Sequence, residues 1–161
     1  MTLPNYNKSV SLNDLEIMLA KELAYRRYHD CEEKNVVNRK MASRMTNKEI
    51  SEQGALAEIA YCKMTNKYPD LSYHARKGSA DCQDDNVKID IKTTRLESGQ
   101  LLVTPKKKQD GGIDVFVLLT GLDRKFTFKG WLPSEDVFQE KYLTNLGYGP
   151  TYAIQQRDLN K

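Results

Sequence analysis

From Val87 to Lys92 the chain reads VKIDIK, apolar and polar residues in alternation, which is the period of a half-buried β-strand. Val87, Ile89 and Ile91 face one way, and Lys88, Asp90 and Lys92 the other. Residues two apart on one face of a strand lie roughly 6.5–7 Å from each other. Asp90 can therefore hold a cation while Lys92 reaches a water or a phosphate beside it, an arrangement suited to cutting a phosphodiester. An ordinary solvated strand has the same pattern, so the pair needs partners from elsewhere in the chain.

Two further carboxylates qualify. Thr46 followed by Glu49 forms a capping box that starts a helix running to about Lys67. Within it GALAEIAYC carries one charge, Glu58, whose helical neighbours Gly54, Ala57, Tyr61 and Cys62 are small or apolar. A carboxylate in such surroundings must be ion-paired, protonated or bound to metal. Gly54 costs about 0.5–1 kcal/mol inside a helix, and close approach of another backbone is the expected reason for it. Past the stop at Tyr68-Pro69-Asp70, short strands are expected over Leu71–Ala75 and Ser79–Cys82. A turn at Asp84-Asp85-Asn86 then leads into the long strand from Val87 to Arg95. That hairpin brings Asp81 towards the face holding Asp90 and Lys92.

The remaining elements must position these groups. Ser11, with Asp14 three residues on, predicts the start of a helix over 11–30. Beyond it Arg39, Lys40 and Arg44 form a basic stretch able to follow a phosphate backbone, although a solvated helix end has the same composition. Leu101–Thr104 begins a strand, and Pro105 to Gln109 forms a basic loop whose Lys106, Lys107 and Lys108 could hold phosphates beside a cleft. Ile113–Thr120 is nearly all apolar, as a central strand covered on both faces must be. Arg124–Leu132 alternates again, and Ser134 should cap a helix to about Tyr142. The tail ends in a loop and an edge strand, with Tyr148, Tyr152 and Arg157 at the surface.

A chain of 161 residues suits one domain: a helical extension over 1–45, a core over 46–133, and a helix with an edge strand over 134–161. No apolar run approaches the roughly 18 residues of a membrane span. The N-terminus lacks the pattern of a secretory signal. Three cysteines without CxxC or Cys/His spacing exclude a disulfide framework and a structural zinc site, so a cytoplasmic location is expected, the host's if the chain is viral. A net charge of +3 is too small for a protein that coats nucleic acid, so any such contact must come from local patches. No Walker-type phosphate loop is present, hence no nucleotide cofactor. Neither His29 nor His74 lies in a nucleophile motif.

A helix with an isolated Glu, a hairpin with an Asp and a strand with Asp-x-Lys follow one another in this chain. In that order it resembles the PD-(D/E)xK nuclease superfamily, and it is similar to small phage-encoded members. The carriers are Glu58 in GALAEIA, Asp81 in GSADCQ and Asp90 and Lys92 in IDIKTTR, with GWLP at 130–133. Ala80 stands where the superfamily has its eponymous proline. The resemblance implies an α/β fold with a restriction-endonuclease-like core, a mixed central β-sheet flanked by helices. It also implies a Mg²⁺-dependent deoxyribonuclease, an endonuclease, with Mn²⁺ as a substitute metal. Asp81 and Asp90 would hold the metal together with the Ile91 backbone carbonyl, Glu58 would complete the acidic cluster, and Lys92 would orient the attacking water. DNA is the implied partner, and a homodimer would supply the two sites that cutting both strands needs. The alternatives are a non-catalytic nucleic-acid- or protein-binding module on the same fold, an exonuclease, or a branched-DNA resolvase.

Overall fold

The computed structural model describes residues 1–34, 45–74 and 80–161. Within them the strands are β1 (Ser9–Ser11), β2 (Cys82–Asp84), β3 (Val87–Thr94), β4 (Leu101–Val103), β5 (Val115–Leu122), β6 (Lys125–Pro133), β7 (Leu143–Asn145) and β8 (Pro150–Ile154). The helices are α1 (Asp14–Glu33), α2 (Asn47–Thr65), α3 (Pro105–Asp110) and α4 (Ser134–Val137). The architecture is mixed α/β. A five-stranded sheet runs β1-β6-β5-β3-β2, and a three-stranded sheet runs β4-β8-β7. In the large sheet β3 and β5 are parallel and every other pair is antiparallel.

β5 sits in the middle of the large sheet because its side chains suit two apolar faces. Val115, Val117 and Leu119 enter a core shared with α1 and α2, through Ala20, Ala24, Leu56, Ile59 and Ala60. Phe116 and Leu118 enter a second core with Leu101, Val103, Tyr152 and Ile154 of the small sheet and Val137 of α4. Each such side chain contributes about 1.5–3 kcal/mol by leaving water. β3 obeys the same alternation: Ile89 and Ile91 join the helix-side core. Asp90, registered with Phe116, therefore points to the opposite face. That face is roofed by the small sheet and α3, so Asp90 is fully buried.

Local signals explain the helices. Thr46 and Glu49 form the expected reciprocal capping box at the start of α2. α1 is capped by Asn13 with Glu16, two residues beyond the expected Ser11, because Ser11 is held in β1 against β6. Gly54 has nothing within 4 Å of where a Cβ would lie, so no backbone approaches it. Leu71–His74 is not a strand, and β2 begins only at Cys82. Pro105–Asp110 is a short helix rather than a loop, with Pro105 in its first turn. The helix expected from Ser134 to Tyr142 stops at Val137 and resumes as a single 3-10 turn at Glu140–Tyr142. Ser134 makes no cap; its hydroxyl donates to the Ile113 carbonyl at 2.5 Å. β8 is the middle strand of its sheet, not an edge, and Tyr152 is buried there instead of lying at the surface. Among the described residues no helix is long and apolar enough to cross a membrane.

Candidate active site

β2 pairs with β3 only as far as Cys82 opposite Ile89, and among the described residues no strand pairs with that edge of β3 beyond it. The Asp81 amide donates to the Ile89 carbonyl at 2.9 Å. One strand position further, the Ile91 amide donates to Asp81 Oδ2 at 2.7 Å. The Asp81 side chain thus continues the ladder that its backbone has left, which fixes it beside Ile91. Both backbone groups of a strand residue point to the same edge, so the Ile91 carbonyl faces this side as well.

Asp90 projects from the next position and is held by two ammonium groups. Lys92 Nζ pairs with its Oδ1 and Lys107 Nζ with its Oδ2. Lys92 arrives from the same face of β3, as two-residue spacing requires, and Lys107 arrives from α3. Burial by itself would raise the Asp90 carboxyl, but the two lysines hold it below the usual carboxylate range. Lys92 is desolvated too, yet Asp90, Asp81 and Glu58 keep its ammonium above its ordinary value. Among the described residues no ammonium or guanidinium group clamps Asp81 in this way. Burial, then repulsion from Asp90 and Glu58, pushes it up to about 8. The two lysine side chains are 28% and 29% exposed over a carboxylate that is wholly covered, so they form the mouth of the site.

Glu58 approaches from α2 on the other side of this edge of β3. Its side chain is 12% exposed and pairs with Arg27 of α1 at 2.7 Å. The same guanidinium donates to the backbone carbonyls of Ser72 and Asp70, tying α1 to the segment after α2. Burial raises the Glu58 carboxyl; Arg27 opposes the rise and Asp90 adds to it. The structure therefore draws Glu58, Asp81, Asp90 and Lys92 into one electrostatic cluster, with Glu58 in an arginine pair. Arg27 and Lys107 complete the set as counter-charges. The spacing of the sequence does not assign Arg27 to Glu58, since the pair spans two helices. Lys106 and Lys108 flank Lys107 on α3 and are exposed, while Arg39, Lys40 and Arg44 lie outside the described residues.

The donor set suits a hard divalent cation. Asp81 and Asp90 offer carboxylate oxygens and Ile91 a carbonyl, and Mg²⁺ commonly takes one or two protein carboxylates with water and phosphate filling its shell. A crowded, half-buried carboxyl such as Asp81 is what such a charge would relieve. Among the described residues no three His, Cys, Asp or Glu side chains converge closely enough to enclose a metal by themselves. Glu58 would have to leave Arg27 to join. Comparison of the chain with protein-family models, with curated proteins and with solved structures finds no match in any of the three.

Proposed function

We propose that this chain is a Mg²⁺-dependent deoxyribonuclease, an endonuclease with a restriction-endonuclease-like core, for which Mn²⁺ substitutes. The observation that carries the reading is the pairing of buried Asp90 with Lys92 next to Asp81, at an edge of β3 that no described strand covers. Asp81, Asp90 and the Ile91 carbonyl would hold the metal, which supplies Lewis-acid polarisation of the phosphate and a more acidic bound water. Asp90 fixes Lys92 by a charge-assisted contact, so the ammonium needs no reorganisation when negative charge builds on the phosphate. Lys92 Nζ, at the mouth, orients the attacking water and stands beside the non-bridging oxygens. Arg27 positions Glu58 against the cluster from behind. Lys106 and Lys108, exposed on α3, offer contacts to neighbouring phosphates without reading sequence.

A second reading has its own support. Asp90 between two lysines and Glu58 on Arg27 make a network that is largely neutralised from within, as a non-catalytic nucleic-acid- or protein-binding module would retain it. Linear, circular and branched DNA incubated side by side with millimolar Mg²⁺ tests both. Cutting of circular DNA supports the endonuclease, cutting of ends only the exonuclease, and cutting confined to branches the resolvase. DNA binding without cleavage that persists in Asp90→Ala supports the binding module and rejects the nuclease.

A further inference from the structure

Lys107 reaches the cluster from α3, not from β3 or from the helix pair beneath the sheet. It stands on α3, a helix with no buried residue, bounded by Pro105 and by Gly111 and Gly112, both with positive φ of 65° and 78°. Such an element can shift without taking apolar surface out of the core, so its local opening is inexpensive. Lys92, by contrast, extends from a strand paired on through Thr94 with β5. Of the two ammonium groups on Asp90, the one on Oδ2 is therefore the movable one. A cation taken up between Asp81 and Asp90 would draw on the Asp90 carboxylate, both of whose oxygens carry an ammonium. An ammonium and a divalent cation on one carboxylate oxygen repel each other, so they compete.

Resting on the nuclease reading, we propose that Lys107 is a positioning residue that latches the site. It neutralises Asp90 Oδ2 while the metal is absent, gives that oxygen up when a divalent cation binds, and then turns its ammonium to a DNA backbone phosphate. The latch keeps a buried carboxylate from standing uncompensated, which is costly. It also makes metal and DNA binding cooperative, because the metal frees a cation for the DNA.

The test is calorimetric titration of Mn²⁺ into the full chain without DNA, for the native protein, Lys107→Met, Lys107→Arg and Asp90→Asn. Lys107→Met should bind Mn²⁺ more tightly by about tenfold, which is roughly 1.4 kcal/mol. Lys107→Arg should stay near native affinity, and Asp90→Asn should lose binding. Duplex binding followed in Ca²⁺ over a salt series should weaken in Lys107→Met, with its log–log salt slope reduced by about one. Because no residue of α3 is itself buried, circular dichroism of Lys107→Met should match the native chain. Equal Mn²⁺ affinity in native and Lys107→Met would overturn the latch and leave the nuclease standing. An unchanged salt slope would overturn its phosphate half. Failure of both proteins to bind Mn²⁺ would overturn the latch and the nuclease reading together.

Discussion

Asp90 keeps its charge in full burial because two lysines surround it, whereas Asp81, which no cation pairs among the described residues, is pushed up to about 8 by burial and by Asp90 and Glu58. Desolvation and the neighbouring carboxylates favour the neutral form of Asp81 before metal arrives, so an amide replaces it at little cost. Asp81→Asn should melt within about a degree of the native metal-free chain and yet show no rise in melting temperature on adding millimolar Mn²⁺, where the native chain rises. A native-like Mn²⁺ shift in that variant would remove Asp81 from the ligand set. Elsewhere in the helix-side core, the Tyr61 hydroxyl is buried and finds no partner among the described residues. An unsatisfied buried hydroxyl is a net cost, so Tyr61→Phe should melt at or slightly above the native temperature; a clear fall would show that the hydroxyl is used. Asp90 and Lys92 are legible in the sequence because period-two alternation fixes their common face. Lys107 on Asp90 and Arg27 on Glu58 are not, since long-range pairings leave no mark on local spacing.

At the scale of elements, the β2–β3 hairpin that carries Asp81 is moored at Asp84. Lys67, just past the end of α2, pairs with Asp84 Oδ1 at 2.5 Å, and the Thr2 amide donates to Oδ2. The Lys67 contact, followed by the Thr2 amide, lowers the Asp84 carboxyl below its ordinary 3.8. A carboxyl depressed in the folded chain adds stability that is complete above its unfolded value and is lost as pH falls through the folded one. Asp84→Asn should therefore melt a few degrees lower at pH 7, and the gap to the native chain should close below about pH 4; a gap independent of pH would mean that the ion pair does not moor the hairpin. α2 and β3 are readable from sequence because a capping box and a strict alternation are local signals. β1 and α3 are not: three residues are too few for a period, and PKKKQD has no apolar residue to mark a helix face. The small sheet depends on β4 pairing with β8 across some fifty residues of chain, a match set by the shared core under Phe116 rather than by either segment alone.

For the molecule as a whole, the large sheet is clamped between two cores, and the C-terminal tail closes the second. Leu159 is buried in that core, and Asn160 bridges to Trp131 of β6. The crossing needs Gly130: its φ is +134°, and a Cβ there would lie 2.4 Å from the Asn160 carbonyl oxygen. Gly130→Ala should lower the melting temperature by several degrees through strain and tail displacement combined; an unchanged melt would show that the tail is dispensable. The sequence reveals β5 as the middle of the sheet from its unbroken apolar run, and tertiary packing alone decides that the polar face of β3 is roofed instead of solvated. That roof turns an ordinary-looking VKIDIK strand into a desolvated charge cluster. The most direct measurement is the single-turnover rate of duplex cleavage in Mg²⁺ for the native chain, Asp90→Ala and Lys92→Ala, each checked for folding. The nuclease reading predicts metal-dependent cutting that falls by about 10²-fold or more in both variants. Cutting at the native rate in either variant, or no cutting by the native chain on any substrate, would contradict it.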